Sequence, residues 1–143
     1  EVGRNMTALD IKKLFNYWLS ETHTSWDVAQ TLFQHKKYPE SLFFGHLTLE
    51  KILKALVVAT TKKHAPPIHN LVRLIQLTDL KPTQEQIIDL EKWTRYCIAG
   101  RYDDEKIFFR KLCTKQYTQE NFNKIGDYYL WLKNEIKKIS RLQ

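Results

Sequence analysis

The sequence is poor in the residues that tight turns need. Only four glycines and four prolines occur among its 143 residues. A β-sandwich or β-barrel needs turn residues at short intervals, so this scarcity argues against both architectures. The hydrophobic fraction of 43% and the charged fraction of 27% are those of an ordinary globular chain. We expect a single all-α domain over residues 7–143, preceded by a disordered or vector-derived segment at residues 1–6.

Long apolar runs and cysteine clusters are also missing. No run approaches the roughly 20 apolar residues of a membrane-spanning helix, and the first residues lack the apolar core of a signal peptide. Cys97 and Cys113 stand apart without the spacing of a metal site, so we expect reduced thiols. These absences predict a cytoplasmic protein that contacts no membrane and holds no metal ion.

Common catalytic signatures are absent from the sequence as well. It contains no glycine-rich phosphate loop, no His-Glu-x-x-His zinc motif and no acidic metal cluster. Neither cysteine lies in a motif that would pair it with a base. The glycine–serine and paired-aspartate signature of a nucleotidyltransferase domain does not occur either. We therefore predict no catalytic residue and favour a role other than that of an enzyme.

What the sequence does contain is apolar residues at helical spacing, most clearly over residues 38–77. Pro39 suits the first position of a helix, and Pro66 with Pro67 forbids its continuation, so we expect the helix to end near Thr61. Its core-facing positions recur at steps of three and four: Leu42, His46, Leu49, Leu53 and Leu56. A second, short helix is expected to begin at His69 and Asn70.

Two further long helices flank this stretch. One is predicted from Thr7 to about His35, and the connection of three residues after it makes the first two long helices antiparallel neighbours. The other begins with a capping box at Thr83 and runs to about Ile98, where Gly100 can close it.

The carboxyl-terminal part is predicted to hold the most regular helix. We expect Thr118 to cap it, and its apolar residues keep a seven-residue repeat to Ile139. Residues 105–117 are ambiguous between a short helix and an extended apolar arm, and we favour the arm.

Charge is the weaker signal. A net charge of +7 is compatible with phosphate-bearing partners, or with solvated lysines on the outer faces of helices. Glu50 and Lys54 lie one turn apart beside the apolar stripe, so they form either a structural ion pair or part of a site. His46 on the same stripe is read as a core histidine rather than a ligand.

Several segments, taken in order, resemble one known family. They are residues 26–29, 41–58, 66–71, 99–102 and 128–132. Together, over residues 10–142, the chain resembles the HEPN (higher eukaryotes and prokaryotes nucleotide-binding) domain family. The resemblance implies an up-and-down bundle of four or five helices, commonly a homodimer. It also implies a minimal nucleotidyltransferase as partner, a setting in which prokaryotic members often form toxin–antitoxin pairs.

One large branch of that family consists of RNases that carry Arg, four to six residues, then His. In this sequence no arginine lies between Arg4 and Arg73, and no histidine follows Arg73. Arg4 stands too far before His23 to match. The resemblance is therefore to the branch described as nucleotide-binding or as a partner subunit.

The candidate ligand-binding residues combine side chains that can donate hydrogen bonds to a phosphate with an aromatic ring. His69 and Asn70 at a helix start either contact a phosphate or cap the helix. Arg101 and Tyr102 either grip a phosphate and stack a base or fill structural roles. The predicted set is Glu50, Lys54, His69, Asn70, Arg73, Arg101 and Tyr102. The expected ligand is ATP or another nucleoside triphosphate; an RNA-binding or RNA-cleaving protein with an atypical site, and a dimeric scaffold, are the alternatives.

Overall fold

The structure, a computed structural model, describes residues 6–99 and 101–142. Every regular element in these residues is an α-helix, which confirms the all-α class. The helices are α1 (Ala8–Gln34), α2 (Tyr38–Thr61), α3 (Leu71–Gln76), α4 (Gln84–Ala99), α5 (Asp103–Leu112) and α6 (Lys115–Leu142). The long helices α1, α2, α4 and α6 build the up-and-down bundle, and α3 and α5 are short connections. Glu1–Asn5, most of the segment expected to be disordered or vector-derived, lie outside the described residues.

Helices α1 and α2 are antiparallel neighbours, as predicted. Lys51 of α2 donates to Ser25 of α1 over 2.8 Å, and Lys54, further along α2, lies over the ring of Trp18, further back along α1. The predicted start of α1 at Thr7 is confirmed by a capping box with Asp10. None of the helices within residues 6–99 and 101–142 is long and apolar enough to cross a membrane.

Helix α6 closes the bundle against α1 and α2. The ring of Phe122 stacks between Trp26 and Phe33 of α1, with ring centroids 4.9 and 4.7 Å away. On the α2 side, a Cβ added at Gly45 would lie only 3.2 Å from Ile125 Cδ1. The absence of a side chain at residue 45 therefore sets how closely α2 and α6 approach.

The predicted capping box is present at the start of α4. The Thr83 backbone N–H donates to Gln86, and the Gln86 backbone N–H donates to the Thr83 hydroxyl, over 2.9 and 3.1 Å. The helix ends at Ala99, one residue beyond the prediction. Gly100, expected to close it, lies outside the described residues.

The prediction of an extended arm over residues 105–117 was wrong. Most of those residues lie in the amphipathic helix α5, which buries Phe109 and leaves Phe108 exposed to 64%, and the last three begin α6. Three acidic residues in its first turn and two basic residues in its last turn complement the helix dipole. The predicted cap at Thr118 was also wrong, because α6 begins earlier and Thr114 accepts the bond from the Tyr117 backbone N–H over 3.2 Å.

Candidate functional site

One face of α2 carries three polar side chains into the interior. His46, Glu50 and Lys54 follow one another at intervals of four residues and are all buried. Buried polar and charged groups are costly unless they are paired, so each of the three needs a partner within the fold.

The Glu50 carboxylate divides its two oxygen atoms between two partners. Oε1 accepts a hydrogen bond from Nδ1 of His69 over 3.0 Å, and Oε2 accepts one from Nζ of Lys54 over 3.1 Å. The Lys54 ammonium also lies 5.2 Å from the centroid of the Trp18 ring, a cation–π contact. Glu50 and Lys54 are thus an ion pair, and the pair also holds His69.

His46 forms a second link to residue 69. Because a carbonyl only accepts, the contact of 3.1 Å between His46 Nε2 and the His69 carbonyl oxygen has the imidazole as donor. Nδ1 of His46 is buried without a partner among the described residues. Burial lowers the pKa of His46, although the Glu50 carboxylate opposes this shift. His46 is therefore a neutral donor near pH 7 that fixes the backbone at His69.

The two links leave one nitrogen of His69 free. A carboxylate accepts only, so Nδ1–H of His69 donates to Glu50, and Nε2 has no hydrogen-bond partner within residues 6–99 and 101–142. The side chain of His69 is 45% exposed. In the neutral ring Nε2 is an acceptor and can take a proton from a bound molecule, whereas in the imidazolium form its Nε2–H can donate to a phosphate oxygen.

The first turn of α3 is already engaged by the protein itself. The Asn70 side chain caps the helix by accepting from the Arg73 backbone N–H over 3.1 Å, and the Leu71 N–H donates to the Thr94 hydroxyl over 3.0 Å. Arg73 is exposed to solvent. Among the predicted residues at this helix, the His69 ring and Arg73 are the groups that remain available to a ligand.

Arg101 and Tyr102 lie exposed between α4 and α5, and Tyr102 is 62% exposed. Burial raises the pKa of the Cys97 thiol, Arg101 opposes the shift and Glu50 adds to it. Arg101 and Glu50 are therefore both within electrostatic range of Cys97. No hydrogen bond or ion pair in the described part of the chain joins Arg101 or Tyr102 to His69. The structure thus brings Glu50, Lys54 and His69 into direct contact, and among the described residues no hydrogen bond or ion pair extends this cluster to Arg101 or Tyr102.

His46 is the site residue that the sequence did not identify. Its prediction as a buried core histidine was correct, but its bond to the His69 carbonyl joins residues 23 positions apart. The signal in the sequence was the spacing of His46, Glu50 and Lys54, which puts all three on one helical face.

His46 is expected to make the fold sensitive to mild acid. In the unfolded chain it titrates near the ordinary value of 6.5, and its folded-state pKa is lower. The unfolded state therefore binds more protons between these two values, and the free energy of unfolding falls as the pH drops below 6.5, by up to about 1.4 kcal/mol per pH unit. Urea unfolding at pH 5 to 8 measures this slope.

The matched variant is His46→Gln, whose amide can donate to the His69 carbonyl but does not titrate. We expect its stability to change less with pH than that of the wild type in this range. His35→Gln, at an exposed histidine, serves as the control and should retain the wild-type slope. Equal slopes in wild type and His46→Gln would show that His46 is not the group responsible.

Comparison with known proteins identifies the family. The family model described as HEPN domain matches residues 15–135, which include His46, Glu50, Lys54 and His69. Searches of curated proteins and of solved structures found no match. The match spans most of the chain and agrees with the all-α bundle, so this chain belongs to the HEPN domain family.

Proposed function

We propose that the chain is a nucleotide-binding module in which His69 contacts a phosphate group of the ligand. Membership in the HEPN family fits a nucleotide-binding or RNA-related role. One observation carries the proposal: buried Glu50 holds Nδ1 of a half-exposed imidazole, and no residue in the described part of the chain hydrogen-bonds its Nε2. A preorganised imidazole, which donates through Nε2–H once it is protonated on both nitrogens, loses little conformational freedom when a phosphate binds.

The surrounding charges support an anionic ligand. Arg73 and Arg101 are exposed, and the chain carries a net charge of +7. In this proposal the ligand is ATP or another nucleoside triphosphate, the module is not itself catalytic, and a nucleotidyltransferase subunit supplies the chemistry. Homodimer formation belongs to the same proposal.

Replacing His69 with alanine is expected to weaken nucleotide binding by about tenfold to a hundredfold. A hydrogen bond to a charged group contributes about 1.5–3 kcal/mol, and each 1.4 kcal/mol is a tenfold change in affinity. Isothermal titration with ATP, GTP and other nucleotides, on the wild type and on His69→Ala, measures the change.

The control is His64→Ala, since His64 is an exposed histidine five residues earlier in the same connection. Its affinity should match that of the wild type. Equal affinities for His69→Ala and His64→Ala would remove His69 from the site. Absence of saturable binding, with the chain alone or with a nucleotidyltransferase partner, would reject the nucleotide-binding function.

The Glu50–His69 contact favours a second candidate function, RNA cleavage. A carboxylate that orients an imidazole is the arrangement in which histidine acts as a general base. RNA cleavage by the wild type that is abolished in His69→Ala would support this candidate. An RNA substrate left intact at high protein concentration would remove it.

A further inference from the structure

A cavity of about 260 Å³ lies between α2, α4 and α5. Its walls are mainly aromatic, formed by Phe43, Phe44, Tyr96 and Phe109. Small-molecule sites usually enclose roughly 300–1,000 Å³, so this cavity is just below that range and suits one planar ring system rather than a whole nucleotide.

The rim of the cavity carries positive charge. Lys106 and Arg110 of α5 line it together with Glu40 of α2, and Arg110 donates to Glu40 over 2.7 Å. One of the two cations is thus paired with a carboxylate, and Lys106 is exposed. Aromatic walls below a cationic rim complement a planar ring that carries an anionic group.

The cavity adjoins the His69 site. The ring of Phe43 lies 6.5 Å from that of His46, whose Nε2 bonds to the His69 carbonyl. Ala99 forms another part of the wall and stands two residues before Arg101 in the sequence. The wall of the cavity is therefore linked to the His69 site through the contact between the Phe43 and His46 rings.

We propose that this cavity receives the base of the bound nucleotide, an inference that rests on the proposed nucleotide-binding function. Every nucleobase has a planar face that stacks on aromatic side chains. The phosphates of the same ligand complement Lys106 at the rim and the imidazole of His69. An uncharged apolar ligand would make no use of the Lys106 ammonium at the rim.

The direct test is to fill the cavity with Ala99→Leu. Ala99 is buried in the wall, and leucine retains the helix propensity of the position. We expect ATP and adenosine to bind this variant about tenfold more weakly or worse, the loss that removing one base–aromatic stack produces. Inorganic triphosphate, which has no base, should bind with unchanged affinity. Far-UV circular dichroism checks that the variant is folded.

The matched control uses a different and larger cavity. This cavity of about 630 Å³ lies at the other end of α2, and Ala59 and Lys62 line it. Ala59→Leu should leave ATP affinity unchanged. A loss of ATP affinity in Ala59→Leu but not in Ala99→Leu would overturn the inference and place the base in the second cavity.

A pair of surface variants tests the inference even if Ala99→Leu does not fold. Lys106→Ala removes the exposed cation at the rim, and Lys111→Ala removes an exposed lysine of α5 that does not line the cavity. We expect ATP affinity to fall several-fold in the first, most clearly at low salt, and to stay constant in the second. Equal affinities in the two variants would count against the base site.

Failure of this inference is distinguishable from failure of the proposed function. ATP binding that needs His69 but is unaffected by Ala99→Leu and Lys106→Ala would reject the base site and keep the phosphate site. Adenosine binding lost in Ala99→Leu, with His69→Ala having no effect on ATP, would keep the base site and reject the role of His69.

Discussion

Replacing Glu50 with alanine is expected to lower the free energy of unfolding by about 3–5 kcal/mol. The substitution leaves the Lys54 ammonium buried without its counter-ion and removes the acceptor of the His69 Nδ1–H bond. Breaking a buried ion pair costs more than the pair contributes, because the remaining charge stays desolvated. Urea unfolding followed by far-UV circular dichroism measures the change.

Glu21→Ala is the matched control. Glu21 of α1 pairs with Lys51 of α2 over 3.7 Å, but both side chains are partly exposed, so the expected cost is about 1 kcal/mol or less. A second comparison replaces both buried charges, as Glu50→Leu with Lys54→Met, and should recover most of the lost stability. If Glu50→Ala costs no more than Glu21→Ala, the Glu50 network does not stabilise the fold.

The double replacement also separates the stability of the fold from the function of the site. Leucine at position 50 cannot accept from the His69 imidazole, so the ring loses the bond that orients it. A variant that is as stable as the wild type but binds nucleotide weakly would show that the buried charges serve the orientation of His69. That outcome would explain why the buried face of α2 carries two charged side chains that apolar side chains of similar size could replace.

The parts of the fold that the sequence predicted correctly depend on local signals. The bounds of α2 follow from Pro39 at one end and from Pro66 and Pro67 beyond the other. The start of α4 follows from a capping box of Thr83 and Gln86, which is complete within four residues. Such signals need no knowledge of distant contacts.

The errors arose where local signals compete. In α5 the neighbouring Phe108 and Phe109 suggested an apolar arm, but only Phe109 is buried, by packing against Tyr96 of α4 with ring centroids 4.9 Å apart. At the start of α6 both Thr114 and Thr118 can act as caps, and the choice depends on where α5 ends. Tertiary packing decides both cases.

Local spacing in the sequence predicted only part of the candidate site. Glu50 and Lys54 pair within one helix, so their spacing sufficed. The contact of Glu50 with His69 joins residues 19 positions apart, and it depends on the path of the chain between α2 and α3. The proline pair fixed where α2 ends but not where the following residues return to it.

Replacing Trp93 with alanine is expected to lower the free energy of unfolding by about 3–5 kcal/mol. Trp93 of α4 is fully buried against α6, and its Nε1–H donates to Asn121 Oδ1 over 3.0 Å. Its ring also meets that of Tyr128 edge-on, with centroids 4.8 Å apart. Alanine leaves a large cavity and an unpaired, buried Asn121 oxygen. Urea unfolding at neutral pH measures the loss.

Trp131→Ala, at a half-buried tryptophan of α6, is the control and should cost clearly less. Equal losses would mean that burial at Trp93 does not determine its contribution. Trp93 joins α4 to α6, whereas Glu50 of α2 holds His69, so the two effects should be nearly additive. Their sum of roughly 6–10 kcal/mol is comparable to the whole stability of a typical domain, about 5–15 kcal/mol. The Glu50→Ala, Trp93→Ala double variant is therefore expected to unfold at a much lower urea concentration than either single variant, and a midpoint equal to that of one single variant would contradict the assignment of the other residue.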